Sequence, residues 1–142
     1  MDADDGGEAR IGRADGSQPS VLIVDDDFLI AEYLREVVED AGCRVCATAA
    51  TAEDAVAEAL RFRPDVVLMD VRLRGAGDGV DAALRIHARL GTPVVFITGS
   101  NEPETMRRIY ADHPRGILVK PILPEQLVAS LRDVIAEEDE AR

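Results

Sequence analysis

Val66-Val67-Leu68-Met69-Asp70 is the stretch on which the reading of this chain turns. Four consecutive apolar residues stop abruptly at a carboxylate. A run this short, without polar alternation, predicts a strand buried on both faces, as in a parallel sheet. The approach through Arg63-Pro64-Asp65 agrees, because Pro64 cannot donate to a ladder and belongs just ahead of a strand. Asp70 is then carried to the carboxyl end of a central strand, the edge at which open α/β sheets bind ligands.

Working outward, three other apolar runs finish in the same manner. Val21-Leu22-Ile23-Val24 ends on Asp25-Asp26-Asp27, Pro93-Val94-Val95-Phe96-Ile97 on Thr98-Gly99, and Gly116-Ile117-Leu118-Val119 on Lys120-Pro121. Arg44 to Ala49 is a less apolar strand, expected at the sheet edge. Between the strands, apolar residues recur at helical spacing. They are Ile30, Leu34, Val37, Val38 and Ala41 with Gly42 as a stop, then Ala55, Val56, Ala59 and Leu60 behind Thr51 as N-cap. Val80, Ala83, Leu84, Ile86 and Leu90 follow, ending at Gly91. Met106, Ile109 and Tyr110 give a modest stripe over 102–112. Leu127, Val128, Leu131, Val134 and Ile135 mark the last helix, expected to fray from Glu137. Five strands alternating with five helices over short, right-handed connections predict an α/β doubly wound parallel sheet. Residues 71–79 read as a glycine-rich loop lacking the G-x-x-x-x-G-K-[ST] of a nucleotide P-loop.

Composition bounds what such a domain does. With 142 residues, 46% hydrophobic and 31% charged, the chain suits one soluble domain with an aliphatic core, since aromatics make up only 4%. Residues 1–19, rich in Asp, Gly and small polar residues, are expected to be a disordered acidic leader, 20–137 the domain, and 138–142 a frayed acidic tail. A net charge of −12 argues against nucleic acid and anionic membrane surfaces. No apolar run is long enough to cross a bilayer, and Met1-Asp2-Ala3-Asp4-Asp5 lacks the basic and apolar regions of a signal peptide, so the expected location is cytoplasmic. Cys43 and Cys46 form a C-x-x-C, but on a strand residues three apart face opposite ways, so they read as ordinary thiols.

The strand ends collect Asp25, Asp26, Asp70, Thr98 and Lys120. In a flavodoxin-like order of 2-1-3-4-5, the first and third strands flank the switch point, so three carboxylates converge. Like charges that close require a cation among them. Oxygen ligands open to water and phosphate select a hard ion, Mg²⁺ or Mn²⁺ in its place. Carboxylates, a divalent metal, an ammonium and a hydroxyl describe a phosphoryl-transfer site in which an ionised Asp serves as nucleophile. Each group alone is commonplace, and Asp26 and Asp27 would favour a helix N-terminus without any metal. It is their joint placement on four strand ends that carries the reading.

Val-Asp25-Asp26-Asp27, Leu-Met-Asp70, Ile-Thr98-Gly99 and Val-Lys120-Pro121 together resemble the receiver domain of two-component response regulators, over about residues 20–137. The resemblance implies Asp70 as phospho-acceptor, and Asp25, Asp26 and Asp70 with the Arg72 carbonyl as the metal ligands. It also implies Thr98 as a switch hydroxyl, Lys120 as the bridging lysine and a cis Lys120–Pro121 bond. Two departures stand out. Ile117 occupies the place of the usual switch aromatic, and the loop after Asp70 lacks the common Met-Pro and is one residue longer. Phe96-Ile97-Thr98-Gly99 is similar to a subgroup ending this strand in F-A-T-G, which also dispenses with the aromatic.

The resulting expectation is a stand-alone receiver phosphorylated by a histidine kinase or histidine phosphotransfer protein. It would signal to an unknown downstream protein, with a homodimer left open and no nucleic-acid or membrane partner. Arg72 and Ser100 stand where the family sets its dephosphorylation rate. One rival is a phosphatase of the haloacid-dehalogenase type, reading Asp25-x-Asp27 as paired aspartates, for which Phe28 is wrong. The other is an interaction module that keeps the pocket without using it.

Overall fold

The computed structural model describes residues 10–99 and 102–141. In chain order the elements are β1 (Ser20–Val24), α1 (Phe28–Asp40), β2 (Arg44–Ala49), α2 (Ala52–Phe62), β3 (Val66–Asp70), α3 (Gly79–Leu90), β4 (Val94–Thr98), α4 (Pro103–Ala111), β5 (Gly116–Val119) and α5 (Pro124–Glu140). The strands form one parallel sheet in the order β2-β1-β3-β4-β5, with the less apolar β2 at an edge as its composition predicts. Register aligns the carboxyl ends: Val24 pairs with Met69, Asp70 with Ile97, and Thr98 with Val119.

The unbroken apolar runs follow from a sheet covered on both sides, since successive strand side chains point to opposite faces. Val21, Ile23, Leu68, Val95 and Ile97 meet Leu34 and Val38 of α1 and Leu127 and Leu131 of α5. Leu22, Val24, Val67, Met69 and Phe96 meet α2 through Ala55 and Ala59, α3 through Ala83 and Ile86, and α4 through Ile109. Side-chain caps start the first three helices: Asp27 accepts from the Leu29 and Ile30 amides, Thr51 from Asp54, and Asp78 and Asp81 form a reciprocal capping box. No helix among the described residues is long and apolar enough to cross a membrane.

Two expectations at the termini need revision. Residues 1–9 of the expected leader lie outside the described residues, but from Arg10 onward the chain packs against the base of the domain. Ile11 is buried, its amide donates to the Ala41 carbonyl at 2.7 Å, Arg13 pairs with Asp65, and the Ala14 amide donates to Asp139 Oδ2. Gly42 makes this possible. With φ at +107° it ends α1, and a Cβ there would stand 2.9 Å from Arg10 Cβ and 3.0 Å from the Ile11 carbonyl oxygen. A single apolar side chain in a polar stretch was too weak a signal to separate a strap from a tail. At the other end, α5 stays helical to Glu140 rather than fraying from Glu137, with Arg115 paired to both Glu137 and Glu138. The third helix takes Gly79 from the preceding loop.

Candidate functional site

The four strand ends converge on one open cleft of about 500 Å³, lined by Asp25, Asp26, Asp70, Arg72, Thr98 and Lys120 among others. Backbone pairing puts each group there. The Asp25 amide donates to the Ala49 carbonyl, extending the β1–β2 ladder past the last strand residue. The Val71 amide donates to the Ile97 carbonyl, and the Lys120 amide to that of Thr98 at 2.8 Å, which fixes Lys120 beside the end of β4. The Lys120–Pro121 bond is cis, as expected.

One cation meets two carboxylates here. Lys120 Nζ stands 3.4 Å from Asp70 Oδ2 and 3.6 Å from Asp25 Oδ2. Asp25 and Asp70 are each only 4% exposed. Burial, then the charge of Asp25, pushes the Asp70 carboxyl up to about 6, against the opposing pull of Lys120. Asp25 is also raised, by burial first, although its Oδ1 accepts from the Asp27 amide at 2.8 Å. Its Oδ2 is buried with no hydrogen-bond donor among the described residues. A buried carboxylate oxygen is costly in that condition.

Carboxylate oxygens of Asp25, Asp26 and Asp70 lie within 4.8 Å of one another. All-oxygen donors, one of them without a hydrogen-bond donor among the described residues, and an excess of negative charge fit a hard divalent cation. Asp27 is not part of this group; it is exposed and its carboxylate caps α1. Thr98 is buried at the end of β4, and Arg72 is exposed at the cleft wall. Ser100 lies outside the described residues.

Gly79 was missed in the sequence. A Cβ at this position would stand 2.0 Å from the Asp70 carbonyl oxygen, and the Gly79 amide donates to the Val71 carbonyl at 2.7 Å. The first residue of α3 is thus pressed against the main chain of Asp70. Its only mark in the sequence was being the last glycine before a helical stripe.

A doubly wound sheet with three carboxylates and a lysine at its switch point defines the class, a receiver fold with an acidic cleft. The chain belongs to the response regulator receiver domain family, whose family model matches residues 21–132. Its relatives include the transcriptional regulatory protein PdtaR of Mycobacterium tuberculosis, 32% identical over 89% of this chain and 65% of that protein. Another is a protein-glutamate methylesterase/protein-glutamine glutaminase of Hahella chejuensis, 40% identical over 56% of this chain and 23% of that protein. The chain therefore spans between about a quarter and two thirds of the length of these relatives. The receiver domain of a modulated diguanylate cyclase from Desulfovibrio desulfuricans G20 superposes with a TM-score of 0.84 at 37% identity, covering 89% of this chain and all of that one. Receiver domains are signalling modules rather than classical enzymes and bind Mg²⁺ at an acidic cluster, the kind of cluster formed here by Asp25, Asp26 and Asp70.

Proposed function

We propose that this chain accepts a phosphoryl group on Asp70 from a histidine kinase or histidine phosphotransfer protein and passes the signal on by protein contact in the cytoplasm. The observation that carries the reading is the Lys120 ammonium, held within 3.6 Å of Asp70 and Asp25 on the floor of the cleft. Asp25, Asp26, Asp70 and the Arg72 carbonyl would hold Mg²⁺ or Mn²⁺, which supplies charge neutralisation to the phosphoryl oxygens.

The chain's own groups do the rest. A carboxyl titrating near 6 is about nine-tenths ionised at pH 7, so Asp70 is available as a nucleophile. Its oxygen forms a bond to phosphorus as the nitrogen–phosphorus bond of phosphohistidine breaks, and the released imidazole nitrogen takes its proton from water. Lys120 and the Thr98 hydroxyl donate to phosphoryl oxygens, and burial of the cleft floor strengthens both contacts. Thr98 leads directly towards α4, so its reorientation is the route by which the helix surface responds. Ile117, half-buried against the α2–α3 side of the core, takes no part as an aromatic switch.

Asp27, spent on the α1 cap, speaks against the paired-aspartate phosphatase reading. Labelling by a phosphoryl donor with Mg²⁺ should be complete in the wild-type chain and absent in Asp70→Asn. Labelling that survives the change refutes the assignment.

A further inference from the structure

Helix α4 is the most lightly held of the five: among its described residues only Ile109 is buried. Beside the packing of Ile109 and the partly buried Met106, its tie to the start of α3 is electrostatic. Arg108 Nη1 reaches Asp78 Oδ2 at 2.7 Å and Nη2 reaches Asp78 Oδ1 at 3.1 Å, a forked pair, with Asp81 Oδ1 a further 3.4 Å contact. These two carboxylates are the capping box of α3, in which the Asp81 amide donates to Asp78 Oδ1 and the Asp78 amide to Asp81 Oδ2. The next residue is Gly79, pressed against the Asp70 carbonyl. An arginine on α4 is therefore linked, through one cap and one glycine, to the main chain of the residue at the bottom of the cleft.

Exposed ion pairs contribute little to stability, but a forked guanidinium–carboxylate pair fixes geometry. All three side chains here keep between 30% and 51% exposure, so the bonds can break and re-form without unpacking the core. The capping box survives without Arg108, because its two bonds are made within residues 78–81. What Arg108 adds is a connection between α4 and the start of α3.

We propose that Arg108 is a positioning residue that ties α4 to the cap of α3, so that the placement of α4 and the affinity of the Asp70 cleft for a phosphoryl-like group are coupled. This rests on the phospho-acceptor reading above. Coupling of this kind is reciprocal: what Arg108 contributes to the cleft, a group bound in the cleft contributes to the order of α4.

The test uses the full chain, with beryllofluoride and Mg²⁺ as the probe and hydrogen exchange at the α4 amides as a second readout. Arg108→Ala should weaken beryllofluoride binding about 3- to 10-fold. In wild type the α4 amides should gain protection when the probe binds, and in Arg108→Ala that response should be lost. Arg108→Lys, which keeps the charge without the fork, should recover part of both, and exchange in α2 should not change in either variant. Equal affinity in wild type and Arg108→Ala overturns the coupling, as does an α4 response that persists in the variant. A wild-type chain that takes no beryllofluoride overturns the phospho-acceptor reading itself, and the coupling with it.

Discussion

Replacing Asp70 with Asn should make the metal-free domain more stable at neutral pH. The side chain keeps its shape, while the variant removes a carboxylate that is buried beside Asp25 and titrates near 6 instead of 3.8. In a fully enclosed site that elevation corresponds to about 3 kcal/mol against the ionised form. The cleft is open to water, so screening reduces the expected gain to about 1–2 kcal/mol. The sign follows from where the proton sits. The folded chain holds it more tightly than the unfolded chain, so the stability that protonation brings is complete below pH 3.8. It is lost as the pH rises to and through about 6. The difference between Asp70→Asn and wild type should therefore be small at pH 4, grow between pH 4 and 6, and level off by pH 7. Urea unfolding with a chelator present, at four or five pH values, reads it directly, and the gain at pH 7 corresponds to roughly 3–8 °C in melting temperature. Mg²⁺ should narrow the gap by stabilising wild type more than the variant. A variant no more stable than wild type at pH 7, or a gap that does not change with pH, would show that Asp70 is not under this electrostatic load.

Two further outcomes follow from close packing. Gly79→Ala puts a methyl 2.0 Å from one backbone oxygen and 2.9 Å from its carbon, neither of which can swing aside as a side chain would. It should cost about 3 kcal/mol in unfolding free energy and at least about tenfold in beryllofluoride affinity, whereas a stable variant with normal binding would refute the contact. Ile11→Ala should cost about 2–4 kcal/mol by denaturant titration if residues 10–19 are a strap on the domain, and nothing measurable if they are a free leader.

Much of the architecture was readable because it is written locally. Unbroken apolar runs such as Val66–Met69, too short for a helix and entered through Pro64, fit strands covered on both faces, and the stripes on α1, α2, α3 and α5 lie at helical spacing. The β2 edge position followed from its weaker hydrophobicity. Ile11 was harder, since one apolar residue carries no period. Gly79 was harder still, because its constraint is a neighbour's carbonyl and not its own backbone angle.

The sequence alone determined the element order, the strand ends and the chemical identity of the groups gathered there, because burial and backbone hydrogen bonding act within a few residues. Only the tertiary structure decided that Lys120 reaches both Asp70 and Asp25, and that Arg108 grips the cap of α3. Those contacts join residues far apart in the chain. Their distances are set by sheet register and helix packing, which no local pattern encodes.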